Sequence, residues 1–390
     1  MNRRQFLLKL NFLAGLSMLS MLAGPAWSSQ GKKKAVGIIS GFNIDFANID
    51  FSQPLQEIAR ERGILFGASQ NIFAFDWNPE YAKLFIEQCA IWVPEGQFNW
   101  RFVHPERGIY DFTITDRISK FAQYNNLLLK GHALVYHGKL PMWVRTEVKT
   151  SGNASKLLEE HIRTIVTRYK DKMYAWDVIN EPIYPPHGRQ DGLRNTLWLR
   201  HLGPEYIDLA LWTAYKADPN ALLTININNC YYDTPEHELK RTSFLMLLDR
   251  IITRNLPLHA IGIQAHLNSN QHKYFNRQIF RTFLNDISKR GYKIHITELD
   301  VSDQGLPANK SLRDQKVADI YEDFLSTTLD ELSVNTIITW GLSDKYTYME
   351  KAKPRLDKQP VRPLLFDRAL LKKPAWYAVA RVLANASSRN

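Results

Sequence analysis

Two glutamates have the residue type and the neighbours to do chemistry. Glu181 follows the run Trp176-Asp177-Val178-Ile179-Asn180 and precedes Pro182, and Glu298 sits inside Ile296-Thr297-Glu298-Leu299-Asp300. Each ends or closes a short apolar stretch, with Asn180 beside one and Asp300 beside the other. A pair of carboxyls facing one cleft suits cleavage of a glycosidic bond. One, protonated, donates to the leaving oxygen, and the other, ionised, attacks the anomeric carbon or activates water. Surroundings that push their proton affinities apart allow both states at one pH. A carboxyl separation of roughly 5–5.5 Å goes with retention of configuration and a wider one with inversion. The residue types alone leave that choice open.

Such chemistry requires a scaffold that brings the two glutamates together. From about residue 55 onward, short apolar runs alternate with longer amphipathic ones. They predict strands over 65–68, 89–93, 127–135, 174–180, 222–226, 260–265, 294–299 and 336–341. Helices are predicted over 154–170, 205–217, 238–254, 276–289, 312–332 and 374–384. Eight strands alternating with helices predict an α/β fold, a single-domain (β/α)8 barrel. An open doubly wound sheet is the rival, and no GxGxxG or GxxxxGK[ST] loop follows the early strands to support it. Polar residues gather at strand ends: Gly131-His132 through Tyr136-His137, Asn180-Glu181, Gln264-Ala265-His266, Glu298-Leu299-Asp300 and Trp340-Gly341. One polar end is readily a core histidine or a helix cap. Five on one barrel rim predict a cleft, because barrel active sites form at the C-terminal ends of the strands. Trp340, Trp143, Tyr136, Tyr346 and Tyr348 are candidates for stacking on sugar faces. Packing accounts equally well for all but Trp340.

Composition narrows the function classes. The chain has 390 residues, 45% of them hydrophobic, and a formal net charge of +11. Three of those charges, Arg3, Arg4 and Lys9, lie in the N-terminal segment, leaving about +8 on the rest. The other basic residues are scattered among acids without a dense, aromatic-interleaved block, which argues against a nucleic-acid partner. Residues 1–28 have the parts of a cleavable leader: a basic start with adjacent Arg3-Arg4, an apolar run from Leu10 to Ala23, and small residues near Ala26–Ser29. The paired arginines followed by Phe6-Leu7 look like a twin-arginine signal. The run is short for a membrane span, so no lasting membrane insertion is expected after its removal. The expected organisation is a leader at 1–28, a linker at 29–50 and the barrel at 51–387, exported to the periplasm or beyond as a monomer. Cys89 and Cys230 form no metal-type spacing. A disulfide between them is allowed in an oxidising compartment, but two buried free thiols fit folding before export better. No cofactor and no metal set is expected.

Together these motifs resemble glycoside hydrolase family 10, the barrel β-1,4-xylanases. Trp176 to Glu181 looks like its acid/base motif and Ile296 to Asp300 like its nucleophile motif. Gly131-His132-Ala133-Leu134-Val135-Tyr136-His137, Pro105-Glu106-Arg107-Gly108, Gln264-Ala265-His266-Leu267, Thr339-Trp340-Gly341 and Pro363-Leu364-Leu365-Phe366-Asp367 follow the family's order from about residue 60 to 380. The resemblance implies an endo-acting, retaining double displacement on β-1,4-xylan. Glu298 would be the nucleophile and Glu181 the acid/base. Asn180 would bind the sugar 2-hydroxyl, and His266, held by Asp300, would orient Glu298. Glu95, Trp100, His132, Tyr136, Gln264 and Trp340 would complete the substrate-binding set.

The departures fall on substrate-binding positions. The family's Glu-Asn-x-x-Lys-Trp stretch reads Glu95-Gly96-Gln97-Phe98-Asn99-Trp100 here, so Gly96 and Asn99 stand for the usual Asn and Lys. Tyr136 and Tyr348 stand where Trp is usual, and Asn226-Ile227-Asn228-Asn229 replaces Asn-Asp-Tyr-Asn. The same chemistry on another β-linked polysaccharide, a β-glucan or bacterial exopolysaccharide, is therefore the alternative. A non-catalytic glycan-binding barrel is disfavoured by the intact Glu181, Glu298, Asn180, His266 and Asp300. A metal-dependent hydrolase built on His132, His137 and His266 lacks an HxH or HExxH arrangement.

Overall fold

The computed structural model describes residues 49–389. The expected leader and the linker through residue 48 lie outside the described residues. The apolar runs form nine strands: β1 (Leu65–Ser69), β2 (Ile91–Val93), β3 (Leu128–Tyr136), β4 (Ala175–Asn180), β5 (Leu222–Ile227), β6 (Ala260–Ile263), β7 (His266–Asn268), β8 (Lys293–Ser302) and β9 (Val334–Thr339). All pair in parallel. β1 pairs with both β2 and β9, and β6 pairs with β8, so eight strands close on themselves while β7 hangs on β8 alone. The (β/α)8 barrel expected from the alternation is the observed architecture. All six residues of β4 are buried, as befits parallel strands covered by helices outside and packed side chains within.

The predicted 260–265 strand is in fact broken. β6 ends at Ile263, Ala265 turns into the left-handed region at φ +63°, and pairing resumes with His266 opposite Asp300. This kink lifts Gln264 and His266 onto the rim, where a continuous strand would have kept climbing the wall.

The larger helices begin earlier than the apolar periodicity suggests, because their caps are polar. Ser151–Arg168 starts with a capping box between Thr150 and Asn153, and Pro235–Thr253 starts at Thr234 with proline in its first turn. Helices at Pro79–Gln88 and Thr113–Tyr124, which the sequence reading did not name, fill the space between the first strands. The last helix, Pro374–Asn385, packs against Lys310–Leu329 and Leu55–Arg60. There the Trp376 indole and the Leu55 amide both donate to Gln88 Oε1, at 3.0 and 3.2 Å, joining the two ends of the barrel. Cys89 and Cys230 are both buried and free. Among the described residues no helix is long and apolar enough to cross a membrane.

Candidate active site

β4 delivers Glu181 one residue past its end, with φ +56°. That left-handed conformation costs a non-glycine residue about 1–2 kcal/mol, and such outliers gather where surrounding contacts enforce them. The Glu181 amide donates to Asn226 O at 3.0 Å, and its own carbonyl accepts from Arg194 Nε at 2.8 Å. In the side chain, Oε1 accepts from Gln264 Nε2 at 3.2 Å and Oε2 from Arg194 Nη2 at 3.4 Å. Gln264 Nε2 also reaches Asn180 Oδ1 at 3.3 Å. β8 supplies the second carboxyl. The Glu298 amide donates to the Gln264 carbonyl at 2.9 Å, so one residue, Gln264, touches both glutamates.

His266 stands between two acids. Its Nε2 is 3.0 Å from Glu298 Oε2 and its Nδ1 is 2.9 Å from Asp300 Oδ1. Burial pulls its proton affinity down, yet Asp300 and Glu298 push the pKa up to about 10. Both ring nitrogens therefore donate, as in an imidazolium. Burial raises Asp300 against the opposing pull of that imidazolium. The other oxygen of Glu298, Oε1, has no hydrogen-bond partner among the described residues. That oxygen is buried, so of the two Glu298 oxygens only the one on His266 is held by a hydrogen bond.

A second polar group lies under the rim inside the barrel. His132 Nδ1 is 2.9 Å from Asp177 Oδ2, Lys130 is ion-paired to the other Asp177 oxygen, and Thr224 Oγ1 donates to that same oxygen at 2.6 Å. Burial opposes the Asp177 charge, but Lys130 and His132 overcome it and hold the carboxyl well below its usual range. Glu95 lies at the end of β2, hydrogen-bonded by Ser69 Oγ at 3.3 Å, and burial together with the Glu298 charge pushes its pKa up to about 7. Burial, with the nearby charges of Glu181 and Glu298, raises the Tyr136 hydroxyl to about 12. Trp340 meets His132 and His266 edge-on, with ring centroids 5.5 and 6.1 Å apart.

The fold thus gathers Glu181, Glu298, Asn180, Gln264, His266, Asp300, His132, Tyr136, Trp340 and Glu95 around one mouth. It does not bring Trp100 there. That indole is 1% exposed, stacks on His161 with centroids 3.5 Å apart, and donates its N–H to Leu134 O at 2.8 Å. Its place is the packing behind β3, and it has no surface to offer a sugar. Trp143 and Tyr346 are half-buried, the first donating to His104 O at 3.1 Å and the second lying 4.6 Å from the Tyr81 ring. Sequence reasoning missed Arg194, which no motif singles out. It also missed the Lys130–Asp177 pair, although Asp177 lies inside the quoted acid/base motif. Among the described residues no cluster of three or more His, Cys, Asp or Glu side chains is arranged to hold a metal ion.

Comparison with known proteins agrees with this geometry. The description "Glycosyl hydrolase family 10" matches residues 54–382. The endo-1,4-beta-xylanase A of Caldicellulosiruptor saccharolyticus is 33% identical over 87% of this chain and 97% of its own length. The endo-1,4-beta-xylanase B of Thermotoga neapolitana is 29% identical over 85% and 91%. Among solved structures, xylanase 10B from Thermotoga petrophila RKU-1 in complex with xylobiose superposes with a TM-score of 0.76 at 30% identity, covering 85% of this chain and 97% of that one.

Proposed function

The chain belongs to glycosyl hydrolase family 10 and is a retaining glycoside hydrolase, and we propose that it cleaves β-1,4-linked xylan internally with Glu298 as nucleophile and Glu181 as acid/base. The observation that carries the assignment is the asymmetry of the two carboxyls. Glu298 has one oxygen on the imidazolium of His266 and the other unpartnered. Glu181 sits on a flexed strand end held by Gln264 and Arg194.

In the first step a Glu298 carboxylate oxygen bonds to the anomeric carbon as the glycosidic C–O bond breaks, and the Glu181 proton goes to the leaving oxygen. In the second, the Glu181 carboxylate takes a proton from water, whose oxygen bonds to the anomeric carbon as the Glu298 ester bond breaks. The His266 charge favours that departure by stabilising the returning carboxylate. We assign Asn180, next to Glu181 in the chain and 3.3 Å from Gln264 Nε2, to the sugar 2-hydroxyl. His132, Gln264 and Glu95 line the subsite of the cleaved sugar, with Trp340 as its floor and Tyr136 beside Glu181.

The same machinery acting on another β-linked glycan is the second reading, and residues 96 and 99 favour it. Gly96 has φ +77°, and a Cβ built on it would lie 3.0 Å from Asn99 Nδ2. Asn99 is only 3% exposed, folded back beneath Gly96. Neither position extends an amide or ammonium group toward a sugar. Each such hydrogen bond is worth about 1–3 kcal/mol when buried, enough to move preference between pentose and hexose chains. The proposal also includes export through a twin-arginine-type leader at 1–28, supported by Arg3-Arg4 and the apolar run after them.

The test is digestion of β-1,4-xylan, β-glucans and bacterial exopolysaccharide by the mature chain beside Glu298→Ala and Glu181→Ala, with released oligosaccharides quantified. Xylan fragments of mixed length from the unaltered chain, lost about 100-fold or more in each variant, are expected. Release from another glycan alone makes the second reading the right one. Glycan binding without release from any substrate defeats both.

A further inference from the structure

Arg194 touches Glu181 at two places. It lies on the hairpin that follows β4, and it donates through Nε to the Glu181 carbonyl at 2.8 Å and through Nη2 to the Glu181 carboxylate at 3.4 Å. Its guanidinium carbon sits 4.6 Å from the centroid of the Tyr184 ring, so the planar group is held on one face by an aromatic plate. Its side chain is 11% exposed. One rigid fork therefore holds both the peptide and the carboxyl of a single residue, a geometry that an arginine can make and a lysine cannot.

The need for such a hold follows from the backbone. Glu181 is in the left-handed region, and its peptide is fixed by the amide bond to Asn226 O on one side and by Arg194 on the other. Loss of the Arg194 bond to the carbonyl removes one of the two hydrogen bonds that fix this peptide, leaving the amide bond to Asn226 O. Besides the Arg194–Tyr184 contact, the hairpin is held by its own backbone. Tyr184 N donates to Gly192 O at 2.8 Å, Arg194 N donates to Pro182 O at 2.6 Å, and Ile183 bridges to Leu193.

We propose that Arg194 is the positioning residue of the acid/base, holding the Glu181 carboxyl in line with the leaving oxygen. This rests on the assignment of Glu181 made above. Its signature is dependence on the leaving group. A sugar alkoxide must be protonated as it departs, whereas a dinitrophenolate leaves without help. A residue that serves only the acid therefore matters for the first and not for the second.

The experiment measures kcat/KM, which reports the first bond cleavage, for Arg194→Gln and Arg194→Lys on two substrates. One is an unmodified xylo-oligosaccharide and the other is a dinitrophenyl β-xylobioside. Arg194→Gln is expected to lose roughly 100-fold on the oligosaccharide, the scale of a misplaced catalytic group. On the aryl glycoside it should stay within about 3-fold, and Arg194→Lys should recover only part of the loss. Equal loss on both substrates makes Arg194 a general structural residue and overturns the proposal, as does no loss on the oligosaccharide. Glu181→Ala, run beside them, must show the same leaving-group dependence. If it does not, the acid/base assignment fails, a result separate from any outcome for Arg194.

Discussion

His266 is the residue whose protonation state most shapes the site, because it faces Glu298 and Asp300 at once. Its folded-state value of about 10 lies above the ordinary 6.5. A group whose proton affinity rises on folding stabilises the fold fully below its ordinary value, and that contribution is lost as pH climbs through the raised one. The difference in thermal midpoint between the unaltered chain and His266→Gln is therefore expected to be largest near pH 6 and to shrink steadily toward pH 10. A difference that stays constant across that range, followed by calorimetry, means that His266 is not charged in the fold. At the same scale lies the lesson of Trp100. It keeps its place in the motif that resembles a substrate-binding stretch, yet its indole N–H is used by Leu134 and its ring by His161. A matching residue type carries over a chemical group, and only its surroundings say which way that group faces.

At the scale of elements, β3, β4 and β5 are tied inside the barrel by Lys130, Asp177, His132 and Thr224. Lys130 and Asp177 are buried outright, at 0% and 1% exposure. Removing one partner of a buried ion pair leaves the other charge without compensation and typically costs about 3–5 kcal/mol. Asp177→Asn is expected to lower stability by about that amount in urea unfolding, and the joint change Lys130→Met with Asp177→Leu by less. A single-variant loss under about 1 kcal/mol would show that the pair does not support the wall. The fit is tight elsewhere along these strands too. A Cβ on Gly131 would lie 2.1 Å from the Trp176 ring, so the glycine that opens the His132 motif is there to admit the tryptophan that opens the Glu181 motif. Two motifs far apart in the chain are one packing unit in the barrel.

Among the described residues, the first and last helices of the barrel meet. Helix Pro374–Asn385 lies against Leu55–Arg60, and Trp376 shares Gln88 Oε1 with the Leu55 amide. Both thiols are inside this closed body, and burial raises them, Cys89 well above its usual value and Cys230 to about 12. A buried, protonated thiol is a poor nucleophile. Neither is expected to react with a thiol reagent in native buffer, and both should become reactive together at the global unfolding transition in urea. Mass spectrometry of the labelled chain decides it. Labelling of Cys230 well below that transition would mean that the segment after β5 opens independently of the barrel.

The sequence by itself determined the barrel, the paired glutamates and most of their neighbours. Alternating apolar runs specify parallel strands and covering helices through local periodicity, and polar residues at strand ends specify the active rim of that architecture. Three things were decided only by tertiary structure. The kink at Gln264-Ala265 that brings His266 to Glu298 arises because the chain leaves β6 and pairs again with β8. Arg194 reaches Glu181 because a hairpin folds back, and no periodicity along the chain records a return of that kind. Lys130 lies inside the predicted 127–135 strand with nothing in one dimension to mark its partner, and only the register of β3 on β4 sets Asp177 beside it. In each case the missing information was contact between residues distant in sequence, which depends on strand stagger and loop return rather than on residue type.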